Sequence, residues 1–406
     1  MKIGLIMMPE EYWSLQKLTD EVFYNLKNNY EVLAISLSSN NQENQTNIDN
    51  LYKECDVVIY IASKLAGFKR LSDKPTIFFA HAWMDHGAGI NLYINQGSFR
   101  RDDILLFASS SARNKFNQVY TTNIKTVVFP YFTDIPEILL TKQEKELRVQ
   151  YGLSNNSKIL IYFGRLSPEK NIEGLFDLAK KNQDKDFIIL VVGDFSSIST
   201  FGFGENYMAD YKDEIKKAIL TNTSGKIKFI DRLSEDDLAE LISISYLTIN
   251  LSLCLEEDFG LSIVESMAMG VPAIASNWGG FKDIITSKQD GFLVRTFFLE
   301  DKRLAIDINE AAIYIKNLLS NEKKRNELAI KAKNKAQQLF SSKSFIINLN
   351  SLLTKINDGS IVKDKLFFYP KDKYLAVYQS ALEHKSVKTI YLDNLWLFQD
   401  LYKYYL

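Results

Sequence analysis

Short, almost unbroken apolar runs recur along this chain and alternate with amphipathic segments, and that alternation restricts the fold more than any other feature. "KIGLIMM" is followed by "SLQKLTDEVFYNLKNN", whose apolar residues recur at helical spacing. "YEVLAISL", "CDVVIYIA", "PTIFFAHAW", "DILLFASS" and "KTVVFPYF" follow as further strands. A strand with no polar face must be covered on both sides, which is the condition of a parallel sheet between two helical layers. The pattern weakens over residues 133–156, which read as a linker. A second series then runs through "KILIYFG", "DFIILVVGD", "KIKFI", "YLTINLS" and "VPAIAS", again with helices such as "SEDDLAELISIS" between strands.

The pattern predicts an α/β chain of two Rossmann-like, doubly wound domains facing across a cleft, residues 1–140 and 141–360, which suits a length of 406 residues. Ligands are expected in that cleft. Residues 361–406 form a separate aromatic tail in which Leu392, Leu395, Trp396, Tyr402 and Tyr405 share one helix face. That stripe reads as a helical tail packing on the body, with a second copy or a peripheral membrane contact as the competing occupants. Asp393 and Asp400 dilute the basic charge a membrane-surface helix carries.

A formal net charge of −1 supplies no field for nucleic acid, so an anionic ligand must be held by a few placed cations. Cys55 and Cys254 stand far apart, without the spacing of a zinc site or a disulfide framework. With too short an apolar start for a leader and no run of membrane-spanning length, the expectation is a cytoplasmic enzyme.

Chemistry concentrates in "EDFGLSIVESMAMGVPAIASNWGG", residues 257–280. The loop after strand "YLTINLS" leads into a helix that starts near Gly260 and that Gly270 is placed to end. First-turn amides from Phe259 through Ser262 at the carboxyl end of a strand make a seat for phosphate, favoured by the helix dipole. Glu257 precedes the helix. Glu265 lies in its second turn, where a carboxylate can accept from two vicinal ribose hydroxyls. A plain helix–strand unit with solvated acids is the competing reading. Upstream, "YFGRLSPEKN" sets Gly164, Arg165 and Lys170 just after another strand, a fork and a point charge able to neutralise a diphosphate. An isolated pair of this kind is more often a solvated loop, and the nearby phosphate seat tips the balance.

"GRLSPEK" followed by the Glu257 to Gly280 stretch resembles the retaining GT-B glycosyltransferases of the large family four, whose signature is two glutamates with seven residues between them. The resemblance covers roughly residues 158–295, with "VVGD", "LSEDDLAEL" and "DGFLV" at fitting intervals, and the N-terminal half matches in architecture alone. It implies that Arg165 and Lys170 bind the donor diphosphate, that Glu265 holds the ribose and that Glu257 contacts the donor sugar. It further implies that the backbone of Asp258, Phe259, Gly260, Leu261 and Ser262 holds sugar and phosphate, and that the base is read near Leu233. His81 in "FFAHAW" falls where the family often has a histidine near the reacting sugar, although a lone strand-end histidine is usually structural. Two departures stand out: "MMPEEYWS" lacks the glycine-rich turn after the first strand, and Phe195 replaces the second glycine after "VVGD".

The implied activity is transfer of a hexose-type sugar from a nucleotide diphosphate sugar, UDP first and GDP second, to a hydroxyl of a glycan or lipid-linked acceptor in cell-surface glycan synthesis. The anomeric configuration is retained, and neither a cofactor nor a metal is required. A phosphorylase- or synthase-like enzyme on the same fold and a non-catalytic sugar-nucleotide-binding scaffold are the alternatives. A glycosidase would need two carboxyls about 5–5.5 Å apart, closer than a loop and a second helical turn should bring Glu257 and Glu265. Asp184–Lys185–Asp186 has the form of a metal-binding motif but precedes a strand, which turns it away from the cleft.

Overall fold

The computed structural model describes residues 1–7, 13–37, 41–61, 72–81, 99–133, 142–195, 205–221, 225–254, 257–300, 304–357 and 368–371. They form two compact units, one of Met1–Phe132 with the described residues from Ser342 onward, the other of Thr133–Ser341.

The first unit contains β1 (Lys2–Met7), α1 (Trp13–Lys27), β2 (Glu31–Ser36), α2 (Asn41–Glu54) and β3 (Val57–Ile61), then β4 (Thr76–Phe79), β5 (Ile104–Phe107), α3 (Ser110–Val119), β6 (Tyr120–Thr122) and β7 (Lys125–Val128). Six strands pair in the order β2-β1-β3-β4-β5-β7. Every pairing is parallel, with Ile3 opposite both Val32 and Val57. The reason is burial: every residue of β3, β4 and β5 is buried, so both faces need a helical cover. α3 is started by Ser109, whose hydroxyl accepts from the Ala112 amide.

The second unit contains α4 (Glu144–Gln150), β8 (Lys158–Phe163), α5 (Glu173–Lys181), β9 (Phe187–Val192), α6 (Glu205–Thr221), β10 (Ile227–Ile230), α7 (Glu235–Ser243), β11 (Leu247–Asn250) and α8 (Leu261–Ala268). β12 (Ala273–Ser276), α9 (Phe281–Ile284), β13 (Gly291–Val294), β14 (Thr296–Phe298), β15 (Leu304–Ile306), α10 (Ile308–Leu319) and α11 (Glu322–Leu339) complete it. Its sheet runs β10-β9-β8-β11-β12-β13, parallel throughout. From β8 the chain winds outward through β9 and β10, then returns to lay β11, β12 and β13 on the other side. The order therefore reverses between β8 and β11, and the crevice at their carboxyl ends is where such sheets take ligands. Side chains of Ser234, Asp307 and Asn321 accept from first-turn amides of α7, α10 and α11.

After α11 the chain returns to the first unit as α12 (Ser342–Asn357). The boundary at residue 360 is therefore corrected to about 341. The cause is aromatic packing that no local pattern reveals: the Phe345 ring lies 4.6 Å from Phe132, 4.8 Å from Phe129 and 6.0 Å from Phe79, centroid to centroid. Within the tail, β16 (Phe368–Pro370) pairs antiparallel with β6, so these three residues form a strand rather than part of a helix. The aromatic stripe from Leu392 to Tyr405 lies outside the described residues.

All the strands read from the sequence are present. β6, β14, β15 and β16 were not read, and at three residues each they are too short to show a period. β13 forms from "DGFLV", whose run of four is too short to show a strand period.

Candidate active site

At the carboxyl end of β8 the backbone passes through Gly164 with φ of 141°, beside Gly193 at the end of β9 with φ of 148°. A Cβ on Gly193 would run into the Gly164 carbonyl, so this crossing requires glycine. The chain then makes one 3₁₀ turn, Pro168–Lys170, and Asn171 takes a left-handed conformation with φ of 53°. Asn171 Nδ2 donates to the Leu251 carbonyl at 3.2 Å, and the Leu253 amide donates to the Glu169 carbonyl at 2.9 Å. These two bonds draw the loop after β8 against the loop after β11.

One consequence is that Lys170 Nζ donates to Glu257 Oε2 at 2.7 Å. Both side chains are largely buried, 14% and 10% exposed. Burial works against both charges, yet the attraction between them wins: Lys170 stays above the ordinary lysine value and Glu257 below the ordinary carboxylate value. Arg165 Nη1 donates to Glu169 Oε1 at 3.2 Å, and its positive charge also favours ionised Glu257. Tyr162 OH donates to the Arg165 carbonyl at 2.7 Å, and burial pushes that phenol well above its usual range.

The second wall is the start of α8. Gly260 caps it in a left-handed conformation with φ of 109°, with the Phe281 ring where a Cβ would stand. The amides of Ile263 and Val264 donate back to the Gly260 carbonyl. Those of Leu261 and Ser262 have no partner among the described residues, so the positive end of the helix dipole stays open there. Phe259, at the start of the amide seat read from the sequence, is buried with its ring edge-on to Phe340. Asn250 links the parts, donating to Ser262 Oγ at 3.2 Å and accepting from the Ser252 amide at 3.1 Å. The Gly280 amide donates to the Glu257 carbonyl at 2.7 Å, and a Cβ on Gly280 would strike the backbone of Asp258 and Phe259.

Thus Gly164, Arg165, Lys170, Glu257, Asp258, Gly260, Leu261 and Ser262 gather at the carboxyl ends of β8 and β11. Glu265 is half-buried in the second turn of α8. Leu233 follows β10 and packs half-buried on a core cluster. His81 belongs to the other unit, where its Nδ1 lies 3.1 Å from Tyr131 OH and burial pushes its pKa down to about 4. The segments "MMPEEYWS" and "AWMDH" that flank the first unit's strands lie mostly outside the described residues. Glu169, Asn171, Asn250 and Gly280 were not assigned roles from the sequence. Asn171 and Gly280 carried a signal, as an Asn able to turn left-handed after "PEK" and as half of a Gly-Gly pair.

Among the described residues no three His, Cys, Asp or Glu side chains come together to hold a metal ion. Asp186, before β9, accepts from Ser157 Oγ at 2.8 Å and so serves the opposite end of the sheet. No described helix is long and apolar enough to cross a membrane.

Residues 143–335 match the family model described as Glycosyl transferases group 1. Among curated proteins, the chain is 25% identical over 194 residues to N-acetyl-alpha-D-glucosaminyl L-malate synthase of Bacillus anthracis, covering 48% of this chain and 46% of that protein. It is 26% identical over 250 residues to spore coat protein SA of Bacillus subtilis, covering 60% of each. The matched part therefore spans about half to three fifths of these relatives' length. Among solved structures, Anabaena HepE in complex with UDP and glucose superposes with a TM-score of 0.64 at 19% identity, covering 87% of this chain and 100% of that one. Sucrose-phosphate synthase from Thermosynechococcus elongatus gives 0.65 at 16% identity, covering 88% and 99%. Two six-stranded parallel sheets with flanking helices, shared with these neighbours, are the GT-B fold.

Proposed function

From a chain whose residues 143–335 match the glycosyl transferases group 1 model and whose sheets have the GT-B fold, we propose a retaining glycosyltransferase that takes its sugar from a nucleotide diphosphate sugar. The observation that carries this reading is the Lys170–Glu257 pair beside the open amides of Leu261 and Ser262, at the point where the sheet order reverses. Cation and helix dipole converge on an anion, and a buried carboxylate stands next to them to receive hydroxyls.

In this reading Arg165, Lys170 and the two amides take the diphosphate, with no metal ion required. They stabilise the negative charge that grows on the leaving oxygen. Glu257 accepts hydrogen bonds from the sugar, and Glu265 accepts from the ribose. The glycosidic C–O bond to phosphate breaks as the acceptor hydroxyl attacks from the same face, and its proton passes to the departing phosphate oxygen. His81, in the first unit, keeps the acceptor-side role that the family resemblance implies. UDP is the favoured nucleotide, in keeping with a structural neighbour solved with UDP and glucose. A hexose-type sugar and a glycan or lipid-linked hydroxyl acceptor complete the reading; the aromatic tail is read as packing on the body, with a peripheral membrane or a second copy as its alternative occupants.

Thermal-shift titration with UDP-, GDP- and ADP-sugars tests the donor, because a ligand that binds the folded state raises the melting temperature. Stabilisation by a UDP-sugar, followed by a product whose anomeric configuration by NMR equals the donor's, is the expected result. An inverted product would overturn the retaining mechanism, and stabilisation by no nucleotide sugar would overturn the donor site.

A further inference from the structure

The loop that carries Glu257 is gripped by a residue outside the acidic motif. Trp278 is fully buried, and its indole Nε1–H donates to the Cys254 carbonyl at 2.7 Å. The Trp278 carbonyl accepts from the Phe281 amide at 3.2 Å, and Phe281 is the ring packed on Gly260. Two residues past Trp278, the Gly280 amide holds the Glu257 carbonyl. Residues 278–281 therefore fix the loop at three points: before Glu257, at Glu257 and at the start of α8.

Behind Trp278 stands the hairpin of β14 and β15. Phe298 meets the indole edge-on at 6.3 Å between ring centroids, and Thr296 Oγ1 donates to the Asn277 carbonyl at 2.7 Å. The base of the hairpin is tied to α10, where the Arg295 amide donates to Glu310 Oε2 at 2.6 Å and Arg295 Nη2 donates to Asp307 Oδ2 at 2.8 Å. A phenyl ring in place of the indole would fill most of its volume but remove one of the donors to the Cys254 carbonyl, which would keep the Glu257 amide at 3.1 Å.

We propose that Trp278 is a positioning residue for the donor sugar: with the β14–β15 hairpin as its support, it sets the Glu257 carboxylate at the height where the sugar hydroxyls arrive. This rests on the donor-site reading above. Because the indole bond acts three residues before Glu257, the effect belongs to the sugar half of the donor. Glu265 and Leu233, assigned to the nucleotide half, lie outside the gripped segment.

Calorimetric titration of the full chain with UDP-, GDP- and ADP-glucose, and with the matching free diphosphates, separates the halves. Trp278→Phe is expected to weaken the bound nucleotide sugar about tenfold, the size of one lost hydrogen bond, while its free diphosphate changes less than about twofold. Thr296→Val, which spares the indole, is expected to move the same ratio in the same direction by less, and it carries the comparison if Trp278→Phe does not fold. Equal weakening of sugar nucleotide and diphosphate, or no change in either variant, overturns the positioning role and leaves the donor site standing. A wild type that binds none of the six ligands overturns the donor site and this inference with it.

Discussion

Lys170 Nζ and Glu257 Oε2 meet at 2.7 Å although 87 positions separate them in the sequence. Each charge is the other's main compensation for burial. Lys170→Met is expected to destabilise the chain by about 2–3 kcal/mol, because it strands a buried carboxylate. Adding Glu257→Gln should recover part of that loss. Urea denaturation of the two single variants and the double variant checks it, with a coupling of roughly 1 kcal/mol or more expected for a direct pair.

The pair also sets a pH window. Glu257 is held below its ordinary value of 4.5, so its contribution is complete above pH 4.5 and is lost as pH falls through the folded value. Lys170 is held above 10.5, so its contribution is complete below pH 10.5 and is lost as pH rises through the folded value. The stability gap between wild type and Glu257→Gln should stay level from about pH 5 to 10 and narrow below about 4.5. Thermal melts across that range measure it.

Gly260 offers a backbone test. A side chain there meets an unfavourable φ of 109° and the Phe281 ring together. Gly260→Ala is expected to cost about 1–3 kcal/mol and to abolish nucleotide-sugar binding, since the start of α8 must move. Full binding by a folded Gly260→Ala chain would remove the helix terminus from the site.

Arg165 separates stability from turnover. Its bond to Glu169 is partly exposed, 30% on the Arg165 side, so Arg165→Ala should change stability by less than about 1 kcal/mol. Turnover should fall by about two orders of magnitude if the guanidinium stabilises the leaving diphosphate. Unchanged turnover would strike it from the mechanism.

His81 is expected to stay neutral well below the usual histidine range, because burial pushes its pKa down to about 4. Its ring signals in NMR should titrate near pH 4. Since the unfolded chain takes up this proton at higher pH, the contribution of neutral His81 is complete above about 6.5 and declines as pH falls from there to 4. A midpoint near 6.5 would show the ring to be solvated and free of that constraint.

The alternation of apolar runs with amphipathic helices was enough to determine two parallel sheets, because a strand without a polar face has few other ways to be buried. The spacing of "GRLSPEK" and "EDFGLSIVES" likewise placed cations and acids at the ends of neighbouring strands. Beyond that, long-range contacts decided. That Lys170 pairs with Glu257, that α12 returns to the first unit through Phe345 and that Trp278 grips Cys254 are facts of side-chain packing between segments many residues apart. Local periodicity records which face a residue turns inward. It holds no record of what meets that residue there, because the partner is chosen by the packing of the whole core.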